Sequence, residues 1–132
     1  MIVIDTHILL WWLNDDNQLS AAANSAIQTE VNTSGDILVS SISAWEIAML
    51  VEKARLTLSM DVDSWITLAA QVEPVKFVPI DNKVAIESTR LPGEFHKDPA
   101  DRMITALART LSAKLVTADE KIRGYKHVKT IW

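Results

Sequence analysis

The sequence has no cysteine. Disulfides, thiolate nucleophiles and Cys-ligated zinc are excluded, and a cytoplasmic protein fits the absence. No apolar run approaches the roughly 20 residues needed to span a bilayer. The chain opens Met1-Ile2-Val3-Ile4-Asp5, with no basic segment before the apolar one and a carboxylate directly after it. That is not the pattern of a signal peptide. Repeats, linkers and low-complexity stretches are also missing. So is an excess of positive charge: the formal net charge is -4. Nucleic-acid binders draw much of their affinity from Lys and Arg on phosphates, so this balance weighs against one. The distribution softens the objection. From Lys97 onward there are eight basic and four acidic side chains, a net of +4, so the acid excess lies earlier.

What is present is 132 residues, 48% hydrophobic and 23% charged. That describes one globular domain, residues 1–132, with enough chain to bury a core. Met1 to Asp5 reads as a short buried strand ending in a carboxylate, followed by a helix through Leu13. Ser20 caps a helix to about Asn32, and Thr33-Ser34-Gly35-Asp36 forms a turn. Ile37 to Ser40 is a second strand, and apolar spacing predicts a helix over about Ser43 to Lys53. Asp61 or Asp63 opens a helix to about Glu73. Lys76 to Ile80 is a third strand, and Asp81 caps a helix through Thr89. After a loop over Leu91 to Lys97, Asp98-Pro99 opens the clearest helix, with Met103, Ile104, Leu107, Ala108 and Leu111 as its apolar stripe. Leu115 to Thr117 is a strand, Asp119 to Gly124 a short helix, and Val128 to Trp132 a final strand. Strands that are continuous apolar runs, alternating with helices, imply a three-layer α/β/α sandwich around a mostly parallel sheet.

Ligands of such sheets bind beyond the carboxyl ends of the strands. Asp5 sits at that end of the first strand, Asp119 just past the fourth, and Glu46 about two turns into the helix after the second. Asp101 lies in the first turn of the Asp98-Pro99 helix. Each acid also has a purely structural explanation. Ser43-Ala44-Trp45-Glu46 matches a capping box. Asp98 suits an N-cap, and Asp101 and Asp119 suit helix N-termini. Asp5 fits such an explanation least, because an unpaired carboxylate at the end of a central strand is expensive to bury. If Asp5, Glu46, Asp101 and Asp119 converge, two such charges at about 4 Å repel by about 4 kcal/mol at an effective dielectric of about 20. A cluster of this kind raises its pKa values or holds a metal. Hard oxygen donors without cysteine select Mg²⁺ or Mn²⁺, and such an ion suits phosphate-ester hydrolysis. Thr6 and Thr117 flank the site as second-layer hydrogen-bonding groups or helix caps. His7, His96 and His127 are too scattered to be read as ligands and are assigned ordinary polar roles. Trp11, Trp12, Trp45 and Trp65 lie on predicted helices, where packing is the expected role.

Four segments together resemble the PIN-domain family, and within it the VapC-type toxins of bacterial toxin–antitoxin pairs. They are Ile4-Asp5-Thr6-His7, Ser43-Ala44-Trp45-Glu46-Ile47, Asp98-Pro99-Ala100-Asp101-Arg102 and Leu115-Val116-Thr117-Ala118-Asp119. The resemblance implies a parallel sheet flanked by helices and an acidic pocket for Mg²⁺ or Mn²⁺. It further implies single-strand-preferring endoribonuclease activity, often on tRNA or rRNA. By position, Asp5, Glu46, Asp101 and Asp119 match the family's acidic quartet, with Asp98 as an additional acid behind it. A homodimer and a small VapB-type antitoxin, one of whose basic residues enters the pocket, are also implied. Lys97 and Arg102 are the candidates for RNA phosphate contacts. Two other readings stay open: a phosphatase or phospho-acceptor domain, although position 7 is His7 where a second acid would be wanted, and a catalytically silent binding module of the same fold.

Overall fold

A computed structural model describes residues 1–132. Ile2–Ile4 (β1) is wholly buried, as three consecutive apolar side chains in a central strand must be. β1 pairs in parallel with Ile37–Ser40 (β2) on one side, with Ile2 opposite Ile37. On the other side it pairs in parallel with Lys114–Val116 (β4), with Ile4 opposite Val116. Val75–Val78 (β3) and Thr130–Ile131 (β5) complete a five-stranded sheet in the order β3-β2-β1-β4-β5, every pairing parallel.

Side-chain alternation along β1 divides the core in two. Ile2 and Ile4 face a cluster with Ile8, Leu9, Ile27 and Ile47, while Val3 faces another with Ile104, Leu107, Leu115 and Ile122. Fully burying each such side chain contributes about 1.5–3 kcal/mol, so both helical layers are held chiefly by these seams. The helices Thr6–Leu13 (α1), Ala21–Asn32 (α2) and Val62–Gln71 (α4) supply the first layer. Asn82–Thr89 (α5), Pro99–Thr110 (α6) and Glu120–Arg123 (α7) supply the second. Ser41–Glu52 (α3) serves both, with Ile47 in one cluster and Ile42 against the other. No helix is long and apolar enough to cross a membrane.

Local capping signals place most helix starts. Ser20, Asp61, Asp81 and Asp98 each accept a hydrogen bond from the backbone N–H three residues on. Several expectations need correcting. α3 begins at Ser41, not near Ser43, because Ser40 Oγ accepts from the Ile42 N–H and starts the helix directly at the strand end. Ser43 is therefore an interior, buried residue, and the capping box with Glu46 does not form. On α6, Leu111 lies past the last turn and is exposed. Trp65 is buried and Trp11 and Trp12 pack partly against the core, but Trp45 is 54% exposed. β5 is shorter than expected, covering only Thr130–Ile131.

Candidate active site

β1 and β4 lie side by side, yet the chain leaves them toward opposite layers, α1 on one face and α7 on the other. A crevice opens where such exits diverge. It is a hollow of about 420 Å³ lined by Asp5, Thr6, His7, Trp11, Glu46, Asp98, Asp101, Ile104, Ala118 and Asp119. All four acids expected to converge are there, with Asp98 as a fifth.

Each acid is fixed by its own element. Asp5 follows β1 and caps α1, its Oδ1 accepting from the Ile8 N–H at 3.1 Å. The structural role that the sequence favoured least for Asp5 therefore exists, and it coexists with the site. Its Oδ2 accepts from the hydroxyl of Thr117, just past the end of β4. Thr117 in turn accepts the Asp119 N–H at 3.0 Å. Asp119 caps α7 through the Lys121 and Ile122 N–H groups. Glu46 reaches Thr6 Oγ1 at 2.5 Å, and that same oxygen lies 2.8 Å from Ser43 Oγ. One hydroxyl proton cannot serve both, so Thr6 donates to Glu46 and Ser43 donates to Thr6. Asp98 caps α6 by accepting from the Asp101 N–H at 3.0 Å. Helix capping thus brings three of the acids to the carboxyl edge of the sheet.

The electrostatics are unbalanced. Neither lysine nor arginine lines the hollow. Asp5 is only 6% exposed, and its burial raises its pKa although the Thr117 and Ile8 bonds pull it down. Two hydrogen bonds to a charged group, about 1.5–3 kcal/mol each, do not outweigh desolvation here. Glu46 is raised by burial as well, against the opposing bond from Thr6. Asp101 is pushed up to about 7, first by desolvation and then by the charges of Asp98, Asp119, Glu46 and Asp5. Asp101 thus feels all four of the other acids, and the charge of His7, which lowers Asp5 and Glu46, does less than the burial that raises them.

That donor set fits a hard divalent cation. Five carboxylates converge on one hollow without a lysine or arginine in its lining, and oxygen ligands of this kind suit Mg²⁺ or Mn²⁺. Asp5, Glu46, Asp101 and Asp119 are the residues that would hold it.

Two basic or polar residues are not where the sequence put them. Arg102 is not turned toward a phosphate. Its Nε donates to the Ser88 carbonyl at 2.8 Å, and Nη1 donates to the Phe95 and His96 carbonyls at 3.0 and 3.1 Å. It ties the end of α5 and the following loop to α6. Lys97 remains exposed beside Asp98. His96, expected to have no part in the site, brings Nε2 to 3.1 Å from Asp101 Oδ2. Its ligand atom and those of Asp101 and Asp119 all lie within 4.8 Å of one another. Only its place two residues before Asp98 hinted at this.

A family model for the PIN domain matches residues 2–128. The chain is 36% identical over 133 residues to Ribonuclease VapC22 of Mycobacterium tuberculosis, covering 99% of this chain and 98% of that one. Among solved structures, the fold is similar to that of VapBC2 from Rickettsia felis bound to a DNA fragment from its promoter. The TM-score is 0.67 at 18% identity, over 98% of this chain and 97% of that one. It is also similar to FitAcB from Neisseria gonorrhoeae, with a TM-score of 0.66 at 18% identity over 98% and 96% of the two chains.

Proposed function

The chain belongs to the PIN-domain family, and from that premise we propose that it is a metal-dependent endoribonuclease toxin hydrolysing phosphodiester bonds in single-stranded RNA. The observation that carries the reading is the hollow at the β1–β4 edge, where five carboxylates meet with no lysine or arginine in the lining. RNA as the substrate class is supported by the ribonuclease name of a relative that matches over 98% of its length.

A bound Mg²⁺ or Mn²⁺ would polarise a phosphoryl oxygen and lower the pKa of a water. The chain's own residues do the rest by holding fixed positions. Thr117 and the Ile8 N–H lock both oxygens of Asp5 in orientation, and Thr6 does the same for one oxygen of Glu46. Pre-set carboxylates need no rearrangement when charge develops at phosphorus. Hydrolysis adds water across the P–O bond: its oxygen joins phosphorus, and its protons end on solvent and on the departing 3′ oxygen. Lys97, exposed beside the hollow, contacts the phosphate backbone in this reading; Arg102 does not. A phospho-acceptor role is disfavoured because position 7, where a second acid would be wanted, is His7.

The partner is a small antitoxin whose arginine or lysine enters the hollow and substitutes for the cation's charge. Exposed Trp45 on α3, beside Glu46, offers apolar surface for such a protein or for a second copy in a homodimer. Solved structures of similar fold include a toxin–antitoxin complex from Klebsiella pneumoniae, with a TM-score of 0.63 at 18% identity over 97% of this chain and 95% of that one. The cytoplasm, where RNA and antitoxin meet, is the compartment this reading requires.

The test is cleavage of a single-stranded RNA by purified protein free of antitoxin. Cleavage should require Mg²⁺ or Mn²⁺ and stop in EDTA. Asp5→Asn, which keeps an oxygen to cap α1, should lower the rate by at least about a hundredfold, equivalent to about 2.7 kcal/mol. Full activity in EDTA or in the Asn variant would refute the reading.

A further inference from the structure

We propose that His96 is a nitrogen ligand of the cation held in this hollow, alongside Asp101 and Asp119, and that it shifts the site's preference from Mg²⁺ toward Mn²⁺ or a similar first-row ion. The inference rests on the reading of the hollow as a cation site and goes beyond it, because none of the acidic residues supplies nitrogen.

The geometry carries it. His96 Nε2 is shut off from solvent and makes no hydrogen bond, although Asp101 Oδ2 is only 3.1 Å away. A buried polar atom without a partner is uncommon and calls for an explanation. In the neutral ring with its proton on Nδ1, the Nε2 lone pair faces a carboxylate lone pair, an arrangement that a cation between them would stabilise. Asp119 supplies the third donor within the same 4.8 Å span.

The imidazole is also held in place. Phe95 packs on it with ring centroids 4.6 Å apart, and Tyr125 packs edge-on against Phe95 at 4.8 Å. Beneath them, Arg102 grips the carbonyls of both Phe95 and His96. Arg102 thereby acts as a positioning residue for His96. Mg²⁺ takes oxygen donors and keeps its waters, whereas imidazole suits later first-row ions. One nitrogen among carboxylates is therefore a device for selectivity.

The alternative is that His96 is an imidazolium paired with Asp101, competing with any cation. The two predict opposite signs. Mn²⁺ and Mg²⁺ are titrated separately into metal-stripped protein by calorimetry, and the Mn²⁺ complex is examined by pulsed EPR for ¹⁴N coupling. The wild type should show imidazole ¹⁴N coupling and bind Mn²⁺ at least about tenfold more tightly than Mg²⁺. His96→Ala should lose the coupling and about tenfold in Mn²⁺ affinity, with Mg²⁺ changed less than about twofold. Arg102→Lys should reproduce part of the Mn²⁺-selective loss. His96→Gln, which fills the same space, guards against a folding artefact and should also lose the coupling. Tighter metal binding in His96→Ala, equal weakening of both ions, or coupling that persists through His7 would overturn the proposal. Wild-type Mn²⁺ held by oxygen alone removes His96 while leaving the cation site standing; no Mn²⁺ binding at all removes both.

Discussion

The two edges of the sheet treat acidic side chains in opposite ways. At the amino edge, Glu30 meets the Met1 amino group at 2.7 Å and Asp36 meets Lys76 Nζ at 2.7 Å. The Lys76 hydrogen bond and charge hold Asp36 below its ordinary pKa, and Asp36 raises Lys76 in return. At the carboxyl edge, Asp5, Glu46 and Asp101 are all raised instead. The same residue types thus report two environments: one where a lysine or the terminal amino group meets each acid, and one where neither lysine nor arginine lines the hollow. Repulsion left unanswered within a fold points to a cation that comes from outside, whether a metal ion or a basic side chain of a partner.

The largest effects should follow from changing the unanswered edge. Glu46→Gln should reduce RNA cleavage by at least about a hundredfold, with far-ultraviolet circular dichroism unchanged because Gln still accepts from Thr6. Unaltered cleavage would remove Glu46 from the site. Next comes Arg102, which lies outside the hollow and holds the loop that carries His96. Arg102→Met strips hydrogen bonds from one α5 carbonyl and two loop carbonyls and should destabilise the protein by about 2–3 kcal/mol in urea denaturation. Were it instead to stabilise, Arg102 would have been repelled rather than used.

The comparison also predicts a sign with pH. Unfolded, Asp101 titrates at the ordinary 3.8; folded and metal-free, it titrates at about 7. Between these values the folded state holds a proton that the unfolded state has released, so stability falls as pH rises from about 4 to about 7 and then levels off. Metal-free wild type should therefore gain more stability than Asp101→Asn when pH is lowered from 7 to 5, by thermal melting. Equal pH profiles would mean Asp101 titrates normally. The smallest effect belongs to the amino edge. Lys76→Met should scarcely alter the melting temperature, since an exposed ion pair contributes little.

Much of this was legible because the signals are local. Ser20, Asp81 and Asp98-Pro99 announce helix starts within three residues of chain, and the apolar runs of β1 and β2 announce buried strands. The convergence of Asp5 with Asp119 followed from strand ends in a parallel sheet. What escaped depends on contacts between distant segments. Ser43 and Glu46 read as a capping box, but Thr6, from another helix, claims Glu46. His96 reaches Asp101 because Arg102 grips the loop carbonyls, a constraint that no periodicity encodes. Trp45 reads as core from its place on a predicted helix; only the packed structure shows it turned outward.

Thermal melting of wild type and Asp101→Asn at pH 7.5, each with and without Mn²⁺, tests the unpaired-charge claim most directly. Metal-free, the Asn variant should melt higher, since one of several mutually repelling charges is gone. With Mn²⁺ at about 100 times its dissociation constant, the wild type should gain about 2.7 kcal/mol and overtake the variant. An Asn variant that melts lower than wild type without metal, and gains as much from Mn²⁺, would contradict the account.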